Sequence, residues 1–254
     1  MSIAIVTGAS SGIGSEFVAQ IKNFFDVEEI WVIARREDRL LNLKEKTNAL
    51  VVPIPLDLTD IKSLDILEEK LKQSGKTVSL LINCAGYGKF GNYADIKNSE
   101  ALGMIDLNCR ALVGVTNVVL PFMKNGGKIL QVCSISSFQP LPLMSVYAAS
   151  KVFVLNYSRA LNVELKSRNI SVTSLCPGWV DTEFFATATD TKNPNAVTKY
   201  TFMQTPQRVV NQGLKATKNC RLVSIVGFQN KILYVLNKIL PVKMVMSTWL
   251  KTQK

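Results

Sequence analysis

The sequence contains no histidine. That absence removes a Ser-His-Asp triad, an imidazole base and His-ligated zinc from consideration. Any proton transfer has to run through Tyr, Lys, Asp/Glu, Cys or water. Acidic residues are missing from the C-terminal quarter: the first 190 residues hold 19 basic and 19 acidic side chains, and the last 64 hold 11 basic and none acidic. The net charge of +11 therefore sits at one end of the chain. That end has few aromatics to stack on bases and no nucleic-acid reader motif, so no nucleic acid is expected as a partner. The five cysteines, Cys84, Cys109, Cys133, Cys176 and Cys220, are scattered, odd in number and form no CxxC pair. This weighs against a disulfide framework or a metal site and points to a reducing cytosol. No run of 18 uncharged apolar residues occurs, since Lys231, Lys238 and Lys243 interrupt the best candidate. The opening MSIAIVTG lacks the charged and apolar regions of a signal peptide and reads as a strand.

What remains is a globular composition, 47% apolar and 19% charged. Short apolar runs alternate with amphipathic stretches. Strands are expected at Ile3–Val6, Ile30–Ala34, Leu50–Ile54, Val78–Ile82, Gly127–Cys133, Ile170–Leu175 and Leu222–Val226. Helices are expected over Ile13–Phe24, Glu37–Lys46, Ile61–Gln73, Ser99–Met123 and Val146–Lys166. Continuous apolar strands, each followed by a helix, imply parallel strands covered on both faces. With right-handed crossovers this is a three-layer, doubly wound α/β Rossmann fold, whose ligands lie beyond the carboxyl ends of the strands. One domain over residues 1–254 is expected. Residues 183–217 form a substrate lid and helix, and 227–254 an amphipathic extension. The Pro177–Gln204 connection has the length of a functional loop.

Strand one runs into Thr7-Gly8-Ala9-Ser10-Ser11-Gly12-Ile13-Gly14. Glycines in this order between a strand and a helix let the backbone approach a phosphate, and the helix N-terminus offers free N–H groups and a positive dipole end. Strand two ends in Arg35-Arg36, where an NAD site usually carries an acidic residue for the ribose hydroxyl. A guanidinium fork suits a 2′-phosphate, so NADP(H) is the expected cofactor, with Arg35 favoured over Arg36 as the phosphate ligand. Asp57-Leu58 ends strand three, where the carboxylate would meet adenine or cap a helix. Asn83-Cys84-Ala85-Gly86 ends strand four with small residues where a cofactor passes closely.

Tyr147 and Lys151 open the long helix four residues apart, on one face. A neighbouring ammonium and an oxidised nicotinamide are expected to lower the phenol pKa, giving an acid/base without imidazole. Ser134, at the end of strand five, can bond a substrate oxygen, and Asn108, inside the preceding helix, can hold a water in a proton chain from Lys151.

In this order, these motifs resemble the short-chain dehydrogenase/reductase family in its roughly 250-residue form. TGASSGIG, NCAG, Asn108, Ser134, YAASK and Pro177-Gly178-Trp179-Val180-Asp181-Thr182 carry the resemblance, from about Ile3 to Thr182. It implies strand order 3-2-1-4-5-6-7 and hydride transfer between nicotinamide C4 and an alcohol or ketone carbon. It implies Tyr147 as acid/base and Lys151 on the ribose hydroxyls. Ser134 would then orient the carbonyl, Asn108 hold a relay water, and Val180 and Thr182 bind the carboxamide. Cys84 departs from the family, which commonly has Asn there. A non-catalytic NADPH-binding regulator is the rival reading, and it would be expected to have lost part of the Asn-Ser-Tyr-Lys set.

Candidate pocket walls include Phe90, Ile135, Phe138, Met144, Phe184 and Phe185, with Leu141, Leu143, Trp179, Phe202 and Met203 nearby. An apolar cleft of this kind suits a hydrophobic carbonyl or alcohol such as a steroid, a lipid or an aromatic ketone. Beyond it, Asn230, Lys231, Tyr234, Asn237 and Lys238 fall on one helical face. Ile232, Leu233, Val235, Leu236, Ile239 and Leu240 fall on the other, and Pro241 breaks the helix. This tail is expected to cover the cleft or pair subunits of a homodimer or homotetramer. The alternatives are contact with an anionic membrane, with Trp249 at the headgroups, and attraction of an anionic ligand.

Overall fold

The computed structural model describes residues Ser2–Gln253. Seven strands, β1 (Ser2–Thr7), β2 (Glu29–Ala34), β3 (Leu50–Pro55), β4 (Thr77–Asn83), β5 (Met123–Val132), β6 (Ser171–Cys176) and β7 (Val223–Ile225), form one sheet in the order β3-β2-β1-β4-β5-β6-β7. Every pairing is parallel.

Side-chain alternation in β1 explains the layers. Ala4 and Val6 face one core, filled by Phe17 and Val18 of α1 (Gly12–Gln20) and by Val209, Val210 and Leu214 of α8 (Pro206–Lys218). Ile3 and Ile5 face the other, with Leu67 and Leu71 of α3 (Lys62–Ser74) and Val115 and Val119 of α5 (Leu112–Val119). Burying each such side chain stabilises by roughly 1.5–3 kcal/mol. Both faces are thus committed to packing, and the strand ends are left for chemistry. The shorter α2 (Glu37–Leu41) follows β2, and α6 (Ser145–Glu164) links β5 to β6.

The helix expected over Ser99–Met123 is interrupted. It consists of α4 (Asn98–Ile105), a π-helical turn over Asp106–Ala111, and α5. The wider turn lets the buried Asn108 amide bond across to Tyr87 and Ser150. An inserted residue of this kind is typical of functional sites. The tract from Asn98 to Phe122 is long and apolar enough to cross a membrane, but here it packs into the second core.

The Pro177–Gln204 connection is built around α7 (Phe184–Thr189) and one bridge between Val180 and Gln204. After β7 come α9 (Phe228–Ile239) and α10 (Val242–Gln253), separated at Pro241 as expected.

Phe17 is fully buried between α1 and the sheet. Phe17→Ala should therefore lower the unfolding free energy by about 3–5 kcal/mol in urea titration, with an unchanged slope. A loss under about 1 kcal/mol would show that this layer does not hold the sheet.

Candidate active site

At the carboxyl edge of the sheet, Thr7 ties β1 to the end of β4: its hydroxyl accepts from the backbone N–H of Cys84 and of Ala85, each at 3.1 Å. Gly8 follows with φ +67° and lies so close to Ala85 that a Cβ would meet its backbone at 2.7 Å. A Cβ at Gly14 would collide with the Gly8 carbonyl. Ser11 precedes α1 without a side-chain cap, so the first N–H groups of that helix point from a glycine cradle into the cleft.

Beside the cradle lies a cationic cluster. Arg36 donates to the Ser10 hydroxyl from Nε at 3.3 Å and from a terminal nitrogen at 3.0 Å, and pairs with Glu183 at 3.3 Å. Arg39 grips both Glu183 oxygens at 2.6 and 2.7 Å. The Arg39 bonds first, and those of Arg36 next, hold the Glu183 carboxyl below its ordinary pKa. Expectation favoured Arg35. It lines the cleft, as does Arg36, whose hydrogen bonds tie it to Ser10 and Glu183; Arg39, which the motif reading missed, joins Arg36 on Glu183. Arg39 sits one helical turn beyond Arg36, and that spacing was the available signal.

Asp57 lines the same cleft, but Oδ1 accepts from the Thr59 N–H at 2.9 Å and the Thr59 hydroxyl at 2.7 Å. Burial works to raise its pKa, and the Thr59 bonds outweigh it. The carboxylate caps its own turn, the alternative that the sequence had left open.

The four residues expected to carry the chemistry converge at the ends of β5 and α6. The Tyr147 phenol is buried and bonded to the Ser134 hydroxyl. Ser134 also accepts from the Ser136 N–H at 3.1 Å. Lys151 Nζ donates to the Val132 carbonyl at 2.9 Å and lies 5.8 Å from the Tyr147 ring centre. Burial drives both groups toward neutrality. It pushes the phenol up to about 12 despite the Ser134 bond, and it pushes the lysine down, against the opposing influence of Cys133, Cys84, Cys109 and Cys176. In the protein alone desolvation prevails over the neighbouring ammonium, which is held by the Val132 carbonyl; the expected lowering also included the charge of an oxidised nicotinamide.

The Asn108 amide donates to the Tyr87 carbonyl at 2.9 Å and to Ser150 Oγ at 3.0 Å, and accepts from the Tyr87 N–H at 3.0 Å. Ser150 in turn donates to the Tyr147 carbonyl at 2.7 Å. Both amide donors are taken, so this side chain clamps the start of α6, and a relay water would have to donate to an Asn108 oxygen.

The cradle, Arg35, Arg36, Glu183 and Tyr147 share one cleft of about 1170 Å³, with Arg39 behind Glu183. Gly8, Ser10, Ser11, Gly12, Ile13, Gly14, Leu58, Ala85, Gly86, Pro177, Gly178, Val180 and Thr182 line it, as do Ile135, Met144, Phe184 and Phe185. Three expected contacts do not. Asn83 turns away and donates to Thr116 Oγ1 at 3.0 Å. Phe138 packs edge-on against Tyr234 at 4.5 Å. Phe90 is buried behind the wall among Trp179, Phe184 and Tyr200. Neighbours in sequence alternate sides in strands and short helices, so proximity to a motif did not determine which way these side chains point.

The C-terminal helices supply walls as well. Leu233, Leu236, Leu240, Val245 and Trp249 border the cleft. Trp249 points inward, donating from Nε1 to the Pro142 carbonyl at 2.8 Å and stacking on Trp179 at 6.4 Å. It does not lie at an outer headgroup level. Gln253 accepts from the Thr198 and Lys199 N–H groups at 3.2 Å, which fastens α10 to the Pro177–Gln204 connection.

Comparison with known proteins agrees with this arrangement. The chain is 34% identical over 193 residues to the very-long-chain 3-oxoacyl-CoA reductase of Rattus norvegicus, covering 71% of this chain and 60% of that enzyme. Among solved structures it is similar to a short-chain dehydrogenase from Sphingobium yanoikuyae in complex with NADPH, with TM-score 0.78 and 26% identity over 97% of this chain and 96% of that one. It is also similar to the bulky-bulky ketone specific alcohol dehydrogenase of Comamonas testosteroni, with TM-score 0.73 and 26% identity over 94% and 92% of the two chains. A family model described as short chain dehydrogenase matches residues 2–193. With that match over most of its length and a sheet of the same strand order, the chain belongs to the short-chain dehydrogenase family of oxidoreductases.

Proposed function

We propose that the protein is an NADP(H)-dependent oxidoreductase that interconverts a ketone and a secondary alcohol on a hydrophobic substrate. The observation that carries this reading is one continuous cleft with a glycine cradle, Arg35 and Arg36 at one end and Tyr147, Ser134 and apolar walls at the other. The residues fit a dinucleotide phosphate: the cradle admits backbone close to a diphosphate, and Arg36 and Arg39 already bind a carboxylate where a 2′-phosphate would compete for them. The NADPH complex of the Sphingobium relative and the bulky ketone and acyl-CoA substrates in the other relatives' names support cofactor and substrate class.

A nicotinamide bound here would supply or accept a hydride at C4. Tyr147 gives its phenolic proton to the ketone oxygen in reduction and takes the hydroxyl proton in oxidation. Ser134 orients that oxygen, Lys151 bonds the ribose hydroxyls, and Val180 and Thr182 hold the carboxamide. Asn108 acts as a positioning residue through Ser150. Leu102, Ile105, Phe153 and Val163 are exposed on α4 and α6 and suit a homo-oligomer contact. Five free thiols suit a reducing compartment.

Tyr147→Phe should abolish NADPH oxidation with ketone panels while NADPH still binds; retained turnover overturns the assignment. The raised phenol sets the pH dependence. Reduction needs the protonated form and should stay level from about pH 7 to about pH 10, while oxidation needs phenolate and should climb over that range. An oxidation rate that falls with pH contradicts this. Arg39→Ala should weaken NADPH binding by roughly 10–100-fold and leave NADH unchanged. Equal losses for both cofactors, read by fluorescence titration, would remove the arginines from the phosphate site.

A further inference from the structure

Helix α9 is packed inside out. Its inward side is polar: Asn230 is buried and donates to the Val226 carbonyl at 2.7 Å, while Tyr234 and Asn237 are half-buried. Its outward side carries Phe228, Ile232, Val235 and Ile239 at helical spacing, 72%, 45%, 51% and 73% exposed. Past Pro241 the same surface continues with Val242 and Met244, both more than half exposed. An apolar stripe turned to solvent has no stabilising role in the isolated chain, and such patches mark contact surfaces.

The charges around the stripe narrow the partner. Lys231, Lys238, Lys243 and Lys251 flank it, and none has a carboxylate partner among the described residues. Lys238 lies over the Tyr234 ring at 4.5 Å, which keeps its charge near the helix surface. No acidic residue occurs after Asp190. A second copy docking face to face on this stripe would set lysines against lysines with no carboxylate to meet them. Leu233, Leu236 and Leu240, on the adjoining side of the same helix, line the cleft.

We propose that the outer face of α9 and the start of α10 dock on an anionic lipid bilayer, with the cleft opening beside the contact. The apolar stripe enters the boundary between headgroups and acyl chains, and the lysines meet the anionic headgroups. A hydrophobic substrate dissolved in the bilayer then reaches the cleft along Leu233, Leu236 and Leu240 without crossing bulk water. That last step rests on the proposed reaction; the docking does not.

The test is co-sedimentation of the full chain with phosphatidylcholine vesicles, with and without about one-third phosphatidylglycerol. Binding is expected to the anionic vesicles alone, and it should be lost near 0.5 M salt, about where surface charges are screened. Ile232→Ser with Ile239→Ser should weaken it roughly tenfold or more, as should Lys231→Glu with Lys238→Glu. Neither pair lines the cleft, so NADPH binding and turnover of a water-soluble ketone serve as controls for folding. No vesicle binding, or equal binding by wild type and both variants, overturns the proposal. So does a fall in sedimenting mass of the Ile232→Ser/Ile239→Ser chain without vesicles, which would assign the face to a second copy. Failure of ketone turnover with vesicle binding intact would count against the reaction only.

Discussion

A parallel sheet packed on both faces has only its ends to offer a ligand. In this protein that constraint decides nearly everything else. Ile3 and Ile5 on one side of β1, and Ala4 and Val6 on the other, leave no face free. The chemistry-bearing residues are therefore gathered at the carboxyl edge, where the Thr7 hydroxyl holds the ends of β1 and β4 together. The cradle and the arginine cluster follow the adjacent strands β1 and β2, and Tyr147 follows β5, which β4 joins to β1 in the same sheet.

Much of this was legible in the chain. The strands were visible as continuous apolar runs, since burial on both faces erases alternation and leaves an unmistakable block of β-branched and aliphatic residues. The glycine turn and the Tyr147-Lys151 pair were visible because each depends on local backbone geometry. What escaped depended on contacts distant in sequence. The π-helical turn at Asn108 answers to Tyr87 and Ser150, which no helical period can announce. The facing of Asn83 and Phe138 was set by Thr116 and Tyr234. The inverted packing of α9 ran against the rule that apolar faces turn inward. Its two faces were read correctly, but which one meets the protein was not a property of the helix.

The absence of histidine acquires a structural meaning in the surroundings of Tyr147. Phenol and lysine are both forced toward neutral forms by burial, and each is held by a neutral partner, Ser134 or the Val132 carbonyl. A site built in this way is tuned by whatever charge enters it. On the proposed reading the oxidised cofactor brings that charge, so the acid/base residue is adjusted by its own co-reactant and not by a fixed neighbour.

Glu183 stands at the N-terminal end of α7, one residue before Phe184, whose ring lies 5.6 Å from that of Tyr147. Its carboxylate holds both arginines at the far end of the cleft. One helix start thus reports on the phosphate end and the reacting end together. On the proposed reading a 2′-phosphate would compete with Glu183 for these guanidiniums, which would loosen the start of α7 beside the tyrosine. By linkage, the Glu183 pairing opposes binding of that phosphate to the same degree. Affinities at the two ends of the cleft are then coupled through one helix start, a tie that neither end shows when considered alone.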